Sequence, residues 1–210
     1  MIDRVALGRR FARLATDAAV RNPLLWKLFR PFVRRQFDSL APVWDSMRLD
    51  DTLAPYEAAL DALRQTPARV LDVGTGTGAG ALTLARRYPD AQIVGIDISA
   101  AMLEQARRNT PPDLRERVTF EAGDASALRF GDASFDLVAH ANMIPFFDEV
   151  ARVVRSGGHA LFAFSSGAGT PIYVPNERLR AELGRRGFTD FAEVGAGRGK
   201  ALLARKGDRS

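Results

Sequence analysis

Apolar positions along this chain change their period near Pro67. Upstream of it they recur at helical spacing. Ile2, Val5, Phe11 and Leu14 fall on one side of a segment from Met1 to about Val20, with arginines over the rest. Asn22-Pro23 reads as a helix start, and Leu25, Leu28, Phe29, Phe32 and Val33 continue the period, with Pro31 expected to kink or split that helix. "FDSLAPVWD", Phe37 to Asp45, shows no clean period, and a further helix is expected from Pro55 to Leu63. Downstream, short apolar runs alternate with helical ones. Strands are expected at 68–73, 92–97, 117–124, 135–140, 159–164, 188–195 and 200–206. Helices are expected at 77–87, from Ser99 through Ala106, at 146–154 and at 175–186, with Ser156-Gly157-Gly158 as a turn and Gly187 as a C-cap.

Strands alternating with helices predict parallel βαβ units with right-handed crossovers. The last two strands are separated only by "AGRG", so the final one must run antiparallel. The chain thus divides into an N-terminal helical arm and lid, residues 1–66, and an α/β domain, residues 67–210.

Candidate chemistry concentrates where the first strand ends. "VLDVGTGTGAG", Val70 to Gly80, places bare backbone between a strand and a helix, an arrangement that admits a nucleotide-like ligand to exposed N–H groups. "GTGTGA" also satisfies the dinucleotide pattern G-x-G-x-x-A, so a nicotinamide cofactor stays open on this evidence. Asp97, ending the second strand, can accept hydrogen bonds from a ribose diol, or can simply favour the following helix N-terminus. Asp124, just after the third strand, can accept from an adenine amino group while the Ala125 N–H donates to a ring nitrogen.

With "VLDVGTGTG", "IVGIDIS", "FEAGDASALRF", "FDLVAHANMI" and "VARVVRSGGHALF" in this order, the chain resembles the class I S-adenosyl-L-methionine (SAM)-dependent methyltransferases from about Arg69 to Phe164, and most closely the small-molecule enzymes of ubiquinone and menaquinone synthesis. The resemblance implies a Rossmann-like, mostly parallel seven-stranded sheet with an antiparallel last strand and an N-terminal helical lid. It implies SAM as cofactor, S-adenosyl-L-homocysteine as product, and methyl transfer to a small organic acceptor by in-line displacement. By position, Gly74, Gly76 and Gly78 would pack against the methionine part and ribose, with Asp72 beneath the turn. Asp97 would take the ribose hydroxyls, Ile98 and Met102 would wall the adenine, and Asp124 with Ala125 would read its edge. Ala139 and His140 would border the reacting methyl, His140 being the one candidate base, and Trp44 would contact the cofactor from a segment folded over it. Two departures stand out: "AHANMIPFFDEVAR" is shorter than the usual stretch there, and Ser156 replaces the usual proline before Gly157.

Charge adds a further feature. Residues 1–35 hold nine Lys or Arg against Asp3 and Asp17, a net +7 of the chain's +5, so the remainder is slightly acidic. The arm reads as a solvated lid face, as a membrane-surface helix, or as an RNA contact; the last would make an RNA methyltransferase the alternative function, although no RNA-binding module accompanies it. The chain has no cysteine and two histidines, which leaves no disulfide framework and points away from a metal site. No run approaches the roughly 18 apolar residues of a membrane span, and no secretory signal is apparent. A cytoplasmic location is the expectation; oligomeric state and acceptor atom are not readable.

Overall fold

Apolar runs rich in Val, Ile, Leu and Phe pair here as the buried strands of one sheet. The computed structural model describes residues 12–17, 19–20, 22 and 25–208. Its strands are β1 (Arg69–Val73), β2 (Gln92–Asp97), β3 (Val118–Ala122), β4 (Phe135–Ala141), β5 (Val154–Phe164), β6 (Phe188–Ala196) and β7 (Gly199–Lys206). The order is β3-β2-β1-β4-β5-β7-β6. β1 to β5 pair in parallel, while β7 is antiparallel to both β5 and β6. The parallel series and the antiparallel last strand are those that the strand-helix alternation and the short last link predict.

Helices cover both faces: α1 (Trp26–Leu40), α2 (Trp44–Met47), α3 (Ala54–Asp61), α4 (Ala79–Arg87), α5 (Ala100–Asn109), α6 (Phe147–Val153) and α7 (Asn176–Gly184). On one face Leu71, Val138 and Phe162 pack with Trp26, Phe147, Val150 and Leu179. On the other, Val70, Leu137 and Leu161 pack with Tyr56, Leu60, Leu84 and Leu103. Successive β1 residues, Val70 and Leu71, thus serve opposite layers, as strand alternation requires.

Three expectations need correction. "FDSLAPVWD" is helical throughout: α1 runs to Leu40, a 3-10 turn spans Ala41–Val43, and α2 follows. Pro31 lies inside α1 without splitting it. Ser156-Gly157-Gly158 does not end an element, because β5 begins at Val154 and passes through these residues. Gly157, at φ +71°, absorbs the irregularity where the β4–β5 register shifts between Phe135 and Leu137. The expected first helix, Met1 to Val20, is observed at residues 12–17 and 19–20; residues 1–11 lie outside the described residues, as does Pro23.

One glycine fixes how α3 meets the sheet. A Cβ on Gly199 would lie 2.5 Å from the Pro55 ring and 2.9 Å from the Phe164 carbonyl oxygen, whereas one on Gly184 would meet nothing within 4 Å. Gly199→Ala is expected to destabilise the protein by about 2 kcal/mol through overpacking, and Gly184→Ala to leave stability unchanged or raise it. Denaturant melts of the two variants check this; equal midpoints would refute the packing argument.

Candidate functional site

β1 must turn into α4 within five residues, and the backbone does so through left-handed conformations. Gly74, Gly76 and Gly78 have φ of +69°, +54° and +90°. The turn is tied by the Gly78 N–H to the Thr75 carbonyl and by the Thr75 N–H to Ile96 of β2. Side chains here would strain the backbone whatever the room around them.

Asp72 holds the turn from below. Its Oδ2 accepts from the Thr75 hydroxyl at 2.6 Å and its Oδ1 from the Tyr56 hydroxyl at 3.2 Å. Burial dominates the titration of this carboxyl, and despite the Thr75, Tyr56 and Ala81 donors its pKa is pushed up to about 6. Tyr56 is itself raised well above 10, first by burial and then by the Asp72 charge, so it stays a donor.

Asp97 holds the same turn from the side. One oxygen accepts from the Gly76 N–H and the other from the Ser99 N–H, both at 2.9 Å. Burial raises its pKa, against the pull of those N–H groups. The Ile98 N–H also reaches this carboxylate, and its two oxygens together keep acceptor capacity beyond these N–H partners. Ser99 caps α5, accepting from the Met102 N–H, as its sequence position predicts.

α1 and α2 pack beside these groups. The Trp26 indole N–H donates to Asp124 Oδ1 and Arg30 to Oδ2, each at 2.9 Å; Ser126 adds its N–H and hydroxyl to Oδ1. Burial pushes the Asp124 pKa up, but these donors outweigh it and the net shift is downward. Farther along, Asp38 accepts from the Ser99 hydroxyl, and Asp45 from the Thr77 hydroxyl and the Asn109 amide. The Trp44 indole nitrogen would lie 3.7 Å from a Cβ on Gly76.

The expected residues therefore separate. Asp72, Gly74, Gly76, Asp97 and Trp44 converge on the turn at the carboxyl end of β1, with Ile98 partly buried beside them. At Gly78 a Cβ would lie 3.1 Å from Ala106 and Phe120, so the missing side chain there also lets α5 and β3 approach the turn. Met102 and Ala139 are fully buried, Ala139 between Asp72 of β1 and Leu161 of β5, and they back the site as core. Ala125 is also buried, next to Asp124.

His140 lies in the core layer beneath the site. Only 1% exposed, its ring stacks on Phe162 at 4.5 Å with Nδ1 3.2 Å from the Leu161 carbonyl. Burial lowers its pKa to about 4, so the ring is neutral where it stacks in the core.

Sequence reasoning missed Trp26, Arg30, Asp38, Asp45 and Met143. Trp26 and Arg30 stand four apart on α1 and share a face, a signal that was present. Met143 carried none. Asn142 adopts φ +53°, bonds Ala163 through its N–H and accepts the Ser165 N–H on its side chain. That kink delivers Met143 to Gly74, where a Cβ would be 2.7 Å from its sulfur.

The donor set suits an adenosyl ligand. Asp97 offers oxygen acceptors beside a turn whose backbone cannot carry side chains, whereas both Asp124 oxygens are engaged by Trp26, Arg30 and Ser126.

Comparison with known proteins agrees with this geometry. Residues 70–158 match the methyltransferase domain family. The chain is 40% identical over 138 residues to a demethylmenaquinone methyltransferase of Deinococcus radiodurans, covering 60% of this chain and 57% of that protein. It is 32% identical over 157 residues to a malonyl-(acyl-carrier protein) O-methyltransferase of Nitrosospira multiformis, covering 64% and 50%. The chain thus spans little more than half the length of these curated relatives. Among solved structures, phosphoethanolamine N-methyltransferase 2 of Haemonchus contortus in complex with S-adenosyl-L-methionine superposes with a TM-score of 0.69 at 18% identity, covering 86% of this chain and 60% of that one.

Asp72 makes the site's stability depend on pH. Its folded pKa of about 6 exceeds the ordinary 3.8, so the stability it lends is fully present below 3.8 and is lost as pH rises through about 6. Between pH 4 and pH 7, the unfolding free energy of wild type relative to Asp72→Asn is expected to shift by about 2 kcal/mol, in favour of wild type at the acidic end. Chemical denaturation across that range tests it; parallel curves would contradict the assignment.

Proposed function

We propose that this chain, which carries a methyltransferase domain on a class I sheet, transfers a methyl group from S-adenosyl-L-methionine to a small organic acceptor. The observation that supports this most directly is the left-handed glycine turn at the end of β1 with the Asp97 carboxylate clamped to its Gly76 N–H. When bound, the cofactor supplies a methyl on a sulfonium, already activated for in-line displacement.

The chain's own residues then bind, orient and exclude water. Asp97 accepts the ribose hydroxyls on the lone pairs its N–H partners leave free. Gly74 and Gly76 border the methionine part, and Ile98 lies along the adenine. Asp124 and the Ala125 N–H read the adenine edge once Trp26 and Arg30 share or release the carboxylate. Trp44 covers the turn and keeps water from it. No residue is assigned as a general base, and an acceptor that arrives ionised or as a neutral nucleophile needs none. The names of the relatives, with demethylmenaquinone and a malonyl carrier as acceptors, support an organic acceptor over a nucleic acid.

Calorimetry with S-adenosyl-L-homocysteine tests the reading. Wild type is expected to bind, and Asp97→Ala to bind at least about tenfold more weakly, as the loss of hydrogen bonds to a charged acceptor implies. Asp97→Asn, which keeps one acceptor oxygen, should fall between them while both variants melt cooperatively. Equal affinities across the three proteins, or binding of NADH in place of S-adenosyl-L-homocysteine, would overturn it.

A further inference from the structure

The exposed large apolar side chains among the described residues are confined to the N-terminal quarter of the chain: Leu14, Leu25, Leu28, Phe32, Val43, Met47 and Leu49. The sheet domain shows none. Scattered exposed leucines are ordinary, but such a concentration marks a contact surface.

On α1 the concentration has a direction. Trp26, Phe29, Arg30 and Val33 turn inward: Trp26 is buried, Phe29 and Val33 pack on the core, and Arg30 reaches Asp124. Leu25, Leu28 and Phe32 recur at three and four residues along the opposite side, and Leu28 is 74% exposed and Phe32 56%. Lys27 and Arg34, two turns apart, run along one edge of this stripe with Arg35 beside it, all three exposed, and Arg34 also pairs with Asp38 at 3.7 Å. Of the described residues, no helix is long and apolar enough to cross a membrane, so an apolar partner would be met from the side.

We propose that the outward face of α1 docks on the surface of an anionic phospholipid bilayer. Two properties must be matched together: an apolar stripe one helix-width across, and a flanking cation set in a segment of net +7 over residues 1–35. An interfacial membrane supplies acyl chains for the first and phosphate headgroups for the second. A second copy of this chain would bring the same positive charge against itself. An RNA would satisfy the cations and leave Leu28 in water. The inference does not depend on the methyl-transfer reading, since it concerns the helix face turned away from the site.

Flotation with vesicles tests it on the full chain. Wild type is expected to float with equimolar phosphatidylcholine and phosphatidylglycerol, to float far less with phosphatidylcholine alone, and to lose binding as salt rises. Leu28→Glu should weaken binding to the mixed vesicles at least about tenfold, because it replaces an inserted leucine by a charge facing the headgroups. Leu28 is largely exposed, so the variant should melt like wild type; the exposed Lys27→Glu gives a second variant if it does not. Absence of binding to the mixed vesicles at low salt overturns the proposal. So does equal binding by wild type and both variants. A dimer in solution that Leu28→Glu makes monomeric, without vesicle binding, would assign the face to a second copy. Retention of RNA unaffected by Leu28→Glu, again without vesicle binding, would assign it to nucleic acid.

Discussion

The structure depends on a buried carboxylate placed where the backbone can least tolerate disorder. Asp72 sits at the end of the central strand, in a layer otherwise apolar, and takes the hydroxyls of Thr75 and Tyr56. Leaving it there costs free energy, which is why its proton affinity rises. In exchange, a turn of left-handed residues is fixed from beneath, and α3, which contributes Tyr56, is tied to the same point. Asp97 completes the arrangement from the neighbouring strand. Two carboxylates on adjacent strands thus define one turn, and the carboxyl edge of the sheet is organised around it.

Much of this was legible in the sequence because it follows from local rules. Strand and helix periods differ, so all seven strands could be read, and the short "AGRG" link forced the antiparallel end. Ser99 announced its cap by residue type and spacing. Asp97 could be located because it ends a strand beside a glycine-rich turn, and Asp72 through the resemblance that "VLDVGTGTG" carries. What was not legible depends on contacts distant in sequence. Gly78 faces Ala106 and Phe120, and only the assembled layers show that its missing side chain serves packing. His140 stands near the end of a strand next to the site, and strand alternation turns it toward Phe162. "FDSLAPVWD" concealed its helix because its apolar residues face several surroundings in turn.

The lid is where local and long-range forces meet. α1 is seated on the sheet domain by the apolar contacts of Trp26, Phe29 and Val33, and α1 and α2 add polar ties: Asp124 with Trp26 and Arg30, Asp38 with Ser99, Asp45 with Thr77 and Asn109. Such ties are individually modest and exchange readily with water or ligand groups. They also fall on the segments that follow β1, β2 and β3, so the lid grips the three stretches of chain that border the site.

The chain's two tryptophans, Trp26 and Trp44, both stand on this cover, and the sheet domain has none. The indole nitrogen of one is bonded to Asp124 and that of the other lies over the glycine turn. Intrinsic emission excited at the red edge of protein absorption therefore originates from the lid alone, against a dark scaffold. The molecule carries its own optical gauge of how closely the cover sits, with no label required.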